Sequence, residues 1–168
     1  PLYSSAASDV YKRQVLIWSP FESDFASTFL KDGGDDILSS SEVDFEIDYV
    51  TDEDCTVESV LDFEHYGLIL IDTHGWRGTW ICTGEVYTEI RWIWYLEDLN
   101  EKRLGIITCR MKDGSLKHFF GVNNKYIKDR CSKSKPFPKS VIFNSSCQST
   151  MTDSLSSVFI SKGVKTYY

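Results

Sequence analysis

The sequence predicts an α/β domain: a mostly parallel central sheet, helices on both faces, and a hairpin insertion. Three observations carry this. Gly67–Asp72 (GLILID) and Ser140–Asn144 (SVIFN) are short, apolar at their centres and free of charge there, as strands buried on both faces are. Helical patterns stand between the strand-like runs, and strands alternating with helices build a parallel sheet. Finally, Leu104–Met111 and Leu116–Val122 flank Lys112-Asp113-Gly114-Ser115, and an Asp-Gly turn between apolar stretches signals a hairpin.

Each element follows in order. Val15–Ser19 (VLIWS) is a first strand, ended by Pro20. Ser23 can cap a helix that places Phe25, Ala26, Phe29 and Leu30 on one side and stops at Gly33-Gly34. Asp35–Glu42 is polar and loop-like. Phe45, Ile47 and Tyr49 alternate, which predicts a second strand, and Thr56 can cap a short helix with Val57, Val60 and Leu61 inward. After GLILID comes a Trp-rich stretch, Trp76–Tyr95, expected to pack as a hairpin over the sheet edge, with a substrate-lining loop as the alternative. Thr83-Gly84-Glu85 within it reads either as cleft lining or as an ordinary turn. Ser132–Pro138 is a loop. Beyond SVIFN, Met151, Leu155, Val158 and Phe159 repeat at helical spacing, Gly163 closes that helix, and Val164–Tyr168 opens another strand. The order is β-α-β-α-β, an insertion, then β-α-β, and right-handed crossovers fix most of its topology.

Composition narrows the function classes. A hydrophobic content of 42% with 14% aromatics is enough for one packed domain over residues 15–168. A net charge of -7 without a basic stripe argues against nucleic acid as a partner. No segment has the ~20 apolar residues of a membrane-spanning helix. The five cysteines, Cys55, Cys82, Cys109, Cys131 and Cys147, are widely spaced and include no C-x-x-C, and only His65, His74 and His118 could join them. Neither a metal site nor a thioredoxin-type motif is visible. The acidic groups at Asp35, Asp36 and at Asp52, Glu53, Asp54 read as solvated surface, without EF-hand spacing.

Two residues stand out by position. Open α/β sheets bind ligands at the carboxyl ends of their strands. GLILID runs into Thr73-His74-Gly75, and SVIFN runs into Ser145-Ser146-Cys147. Neighbouring strands lie about 4.8 Å apart, so two such ends could share one cleft. Cys147 is expected at the start of a helix, whose N–H groups stabilise a thiolate. His74 could move the thiol proton. Gly75 lets its N–H approach a substrate carbonyl and, with the N–H of Cys147, could form an oxyanion hole.

A strand ending in His-Gly, then a later strand ending in Ser-Cys before an amphipathic helix, resembles the caspase-like cysteine peptidases. The segments ILIDTHGWRGTWICTGE and PKSVIFNSSCQSTMTDSLSSVFISKGVKTYY are most similar to the gingipain, clostripain and CHAT-type branch. The resemblance implies the three-layer caspase-hemoglobinase fold and cleavage of peptide bonds in peptides or proteins through an acyl-enzyme. It puts the acid–base on His74, the nucleophile on Cys147, and oxyanion donors on Gly75 and Cys147, with no cofactor and no metal. The caspase signature Q-A-C-[RQG]-G is absent, since SSCQS stands there, and the third catalytic residue, P1 specificity, compartment and oligomeric state stay open. Two other readings fit the strand order: a non-catalytic interaction module on the same fold, and a flavodoxin-like ligand-binding domain. Ser19-Pro20-Phe21-Glu22 is a poor phosphate cradle for the latter.

The N-terminal string SSAASDVYKRQ at Ser4–Gln14 resembles, codon for codon, one translated frame of a tagmentation sequencing adapter. Residues 1–14 are therefore set apart from the fold as an expected disordered artefact, and residues 15–168 are expected to be a domain truncated at both ends.

Overall fold

The computed structural model describes residues 13–24, 29–76, 78–131, 137, 139–147 and 152–168. Its spine is a five-stranded parallel sheet. β1 (Gln14–Ser19) is flanked by β2 (Glu46–Thr51) and β3 (Leu68–Ile71); β8 (Val141–Asn144) lies beside β3, and β9 (Thr166–Tyr167) forms the far edge. A second sheet is antiparallel, in the order β4 (Gly75–Trp76), β5 (Trp80–Val86), β7 (Leu116–Asn123), β6 (Leu104–Arg110). It is inserted between β3 and β8. The expected α/β class is therefore present, and the insertion is a whole small sheet rather than one hairpin.

The pleat of the parallel sheet divides its side chains between two cores. Val15 and Ile17 of β1, with Leu68 and Leu70 of β3, pack against Leu38 of α1 (Phe29–Ser39) on one face. Leu16, Trp18, Ile69, Ile71 and Ile142 point to the other. There they meet Val60 and Phe63 of the 3-10 helix Glu58–His65, Ile127 of α4 (Asn124–Arg130), and Leu155 and Phe159 of α5 (Ser154–Ser161). Ile81, Phe120 and Val122 from one face of the antiparallel sheet join this larger core. Trp18 is fully buried yet satisfied, because its indole N–H donates to Ser59 Oγ at 3.1 Å.

Several expectations shift. β1 begins at Gln14, and Arg13 O already accepts the N–H of Glu46 at 2.9 Å, so the ordered ladder starts just before the expected boundary; residues 1–12 lie outside the described residues. The first helix does not stop at Gly33-Gly34 but runs through them to Ser39. Packing explains this: a Cβ on Gly34 would stand only 3.2 Å from Leu70 and 3.4 Å from Ile17, so a residue of intrinsically poor helix propensity brings the helix close to the sheet. Phe25 and Ala26, expected on its inner side, lie outside the described residues, as do 132–136 of the expected loop. The Trp-rich stretch is a hairpin only through β4 and β5. It continues into α2 (Glu89–Trp94) and α3 (Leu96–Asn100), and Trp94 is 71% exposed rather than packed on a sheet edge. Trp80 does pack, with its ring over Gly105 of β6.

Polar clamps hold the inserted layer. Glu85 of β5 is buried; its carboxylate accepts the Val57 N–H at 2.9 Å and the Tyr95 hydroxyl at 3.1 Å, and Arg91 stands 3.4 Å away. Thr83-Gly84-Glu85 is thus strand interior and no ordinary turn, with Gly84 lining a small cavity beside Phe21. Burial, followed by that carboxylate, raises the Tyr95 phenol well above its usual range. Asp98 accepts from both Arg103 and Arg130. Asp52 is no idle surface acid either, since its Oδ1 accepts the N–H and the hydroxyl of Ser23 at 3.0 and 2.8 Å.

Asn123 closes β7 and opens α4. Its Oδ1 accepts the N–H groups of Lys125 and Tyr126, and its Nδ2 donates to Lys102 O at 2.7 Å. Replacing Asn123 by Ala is expected to destabilise the domain by about 1–3 kcal/mol through the lost cap and the orphaned donors, read as a lower urea midpoint with unchanged slope.

Candidate active site

The site is built on the parallel pairing of β3 with β8, in which Leu68, Ile69, Leu70 and Ile71 face Val141, Ile142, Phe143 and Asn144. The pairing extends past the strand ends. Toward β8, Ser145 N donates to Ile71 O at 2.9 Å, while on the other side of β3 Asp72 N donates to Trp18 O of β1 at 3.0 Å. The Ser145 hydroxyl adds a bond to Asp72 Oδ1 at 2.8 Å. Asn144 Oδ1 accepts the N–H of Ser146 at 3.0 Å and so turns the chain toward Cys147. The two segments carrying His74 and Cys147 therefore leave the same edge of the sheet side by side.

Gly75 shows how close they come. A Cβ there would fall 2.5 Å from Cys147 O and 2.8 Å from Ser146 Oγ, inside any permitted contact. Only glycine lets the two backbones meet. Gly75 also pairs with Ile81 of β5, while Cys82 N donates to His74 O at 3.0 Å. In an antiparallel ladder that makes Gly75–Ile81 the pair without mutual bonds, so the Gly75 N–H points away from β5.

His74 is fixed from behind. The Thr73 hydroxyl donates to Cys82 O, which with the bond from Cys82 N to His74 O anchors the Thr73 side chain and the His74 carbonyl to β5. The imidazole lies 4.7 Å from the Phe21 ring, centroid to centroid, and Phe21 in turn meets Phe119 edge-on at 4.9 Å. Burial lowers the His74 pKa from its ordinary 6.5, with the charges of Asp24 and Asp72 opposing. The imidazole is accordingly neutral at neutral pH, the form that can accept a proton.

Cys147 is exposed, whereas Cys55, Cys82, Cys109 and Cys131 are buried. The expected helix start immediately at Cys147 is corrected: α5 begins only at Ser154, and residues 148–151 lie outside the described residues. The support visible around Cys147 is the Asn144–Ser146 turn and the packing on Gly75. Farther along, the hydroxyls of Thr152 and Ser154 both donate to Gly78 O at 3.2 Å, tying the segment after Cys147 to the turn after Gly75.

Sequence reasoning missed Phe21 and Asp24, which follow β1 at the same sheet edge, and Ser145, which links the two loops. The rule that named His74 and Cys147, carboxyl ends of central strands, also points to the residues after Ser19. A cavity of about 120 Å³ opens there, lined in part by Phe21, Asp24, Met111, Lys117 and Phe119. A more voluminous cavity of about 660 Å³ lies elsewhere, between Glu58, Asp62, Trp94 and Tyr126, and takes no residue from the His74 or Cys147 loop.

Three outcomes follow. Gly75→Ala should force the loops apart and cost several-fold more Cys147 reactivity toward a site-directed probe than global stability accounts for, compared at equal fraction folded. The His74 ring should titrate with a midpoint below 6.5 by NMR. Because the folded pKa lies below the unfolded one, this histidine's contribution to stability is present above pH 6.5 and is lost as pH falls through the folded midpoint. Asp24→Asn should lower the midpoint further; an unchanged or higher midpoint contradicts the assignment of causes.

No family model matches the chain, and neither a curated protein nor a solved structure matches it.

Proposed function

We propose that the chain is a cysteine-type endopeptidase of the caspase-like fold, with His74 and Cys147 as its catalytic pair. The observation that carries this reading is the juxtaposition of the two loops: His-Gly after β3 and Ser-Cys after β8, on adjacent parallel strands, with Gly75 in backbone contact with Cys147. The strand order β2-β1-β3-β8-β9, with a small sheet inserted between β3 and β8, supports the same fold. Among the described residues no helix is long and apolar enough to cross a membrane, and a peptide or protein segment is the proposed substrate.

In this reading neutral His74 takes the proton of the Cys147 thiol. The thiolate sulfur attacks the scissile carbonyl carbon, and the carbonyl oxygen becomes an oxyanion. The N–H of Gly75, turned away from β5, and that of Cys147 are the donors for it. His74 then returns the proton to the leaving amine, and water, deprotonated by His74, hydrolyses the thioester. A depressed histidine pKa keeps the base competent into mildly acidic solution.

A peptidyl acyloxymethyl ketone tests this. Cys147 should be alkylated in the native protein, and His74→Ala should reduce that rate by at least about 100-fold while iodoacetamide still reaches the exposed thiol. Equal labelling rates in wild type and His74→Ala would end the peptidase reading, because mere exposure would then explain the reactivity.

A further inference from the structure

We propose that Cys82 and Cys109 form a reversible disulfide, a redox modification site lying directly behind His74 and taking a hydroperoxide as its oxidant. The two sulfurs stand 3.7 Å apart. They are 0% and 5% exposed, in a small core of their own with Phe21 and Phe119, against which Ile107 and Met111 pack. The other two buried thiols are solitary. Cys55 donates to Val50 O at 3.1 Å, and burial pushes the Cys131 thiol up to about 12, which leaves it inert.

The pair is graded for the chemistry. Cys82 is fully covered, and its thiol is raised well above the ordinary value, with its hydrogen bond to Cys109 as the leading cause. Cys109 is at the edge of the cluster, 5% exposed, and its hydrogen bond with Cys82 lowers its thiol despite burial. Cys109 is thus the attacking sulfur and Cys82 the resolving one. Phe21, Met111 and Phe119 also line the 120 Å³ cavity beside the cluster, which is wide enough for a small peroxide.

The steps balance. The Cys109 thiolate attacks one peroxide oxygen, the O–O bond breaks, and one water leaves after protonation, giving a sulfenic acid. The Cys82 sulfur attacks that sulfur, the S–O bond breaks, and the second water leaves with the thiol proton. Two thiols lose two electrons and two protons, and hydrogen peroxide becomes two waters.

Closure brings the sulfurs from 3.7 Å to about 2 Å, and because β7 lies between β5 and β6 it draws those two strands toward each other across it. Cys82 cannot move without its neighbours, since its N–H and C=O hold His74 and Thr73, and the cluster shares Phe21 with the His74 ring. Oxidation therefore reaches His74. The proposal does not rest on the peptidase reading, and its test is run with Cys147 blocked.

The exposed Cys147 is first capped with iodoacetamide in native buffer. The protein is then treated with hydrogen peroxide, denatured and exposed to N-ethylmaleimide. Two adducts instead of four, a Cys82–Cys109 peptide in the digest, and return to four adducts after dithiothreitol are expected. Cys82→Ser and, as a second variant, Cys109→Val should each abolish the bridge. The His74 ring signals should shift on oxidation of the wild-type chain and not of the variants. Four adducts after peroxide, or a bridge through Cys55 or Cys131, would overturn the site, and unmoved His74 signals would overturn its coupling to the histidine.

Discussion

The parallel pairing of β3 with β8 is the constraint on which the rest of the structure depends. It joins segments separated by the whole antiparallel insertion, so the register Leu68–Val141 through Ile71–Asn144 must be set by burial rather than by a short turn. Ile69, Ile71 and Ile142 bury one face completely. A slip of one residue would turn these side chains out of the larger core. Once the register is fixed, the bonds from Ser145 to Ile71 and Asp72 carry it past the strand ends, and Gly75 can settle against Cys147 with no room for a side chain.

The inserted sheet acts as the back wall of this arrangement. One of its faces enters the main core through Ile81, Phe120 and Val122. The other carries the Phe21, Cys82, Cys109, Phe119 cluster behind His74. Glu85 ties the same layer to the start of the 3-10 helix Glu58–His65 through the Val57 N–H, and to α2 and α3 through Arg91 and Tyr95. A buried carboxylate costs desolvation unless its oxygens are occupied, and here both are. The imidazole is thereby held between an aromatic contact and a hydrogen-bonded backbone, and burial keeps it neutral.

Much of the fold was legible because strands and helices obey strong local rules. Val15–Ser19, Gly67–Asp72 and Ser140–Asn144 read as buried strands from their apolar runs, and the Asp113-Gly114 turn placed β6 against β7. The misses have physical causes. Gly33-Gly34 reads as a stop by propensity, and close packing of α1 on Leu70 and Ile17 overrides it. The helices Glu89–Trp94 and Asn124–Arg130 are short. The first is six residues inside a Trp-rich run, and its apolar positions Ile90, Ile93 and Trp94 face solvent instead of the core; the second rests on the Asn123 cap and on Ile127 and Tyr126 entering the core.

By itself the sequence determined which residues carry reactive groups, which runs could be central strands, and that His74 and Cys147 each follow one of them. Those are local facts, written in residue types and short-range patterning. Only the tertiary structure decided that β3 and β8 are neighbours, that the Phe21 ring lies against the histidine, and that Cys82 and Cys109 come within 3.7 Å. Such pairings are chosen by the mutual burial of surfaces distant in the chain, a free energy that belongs to the assembled core and to no single segment of it.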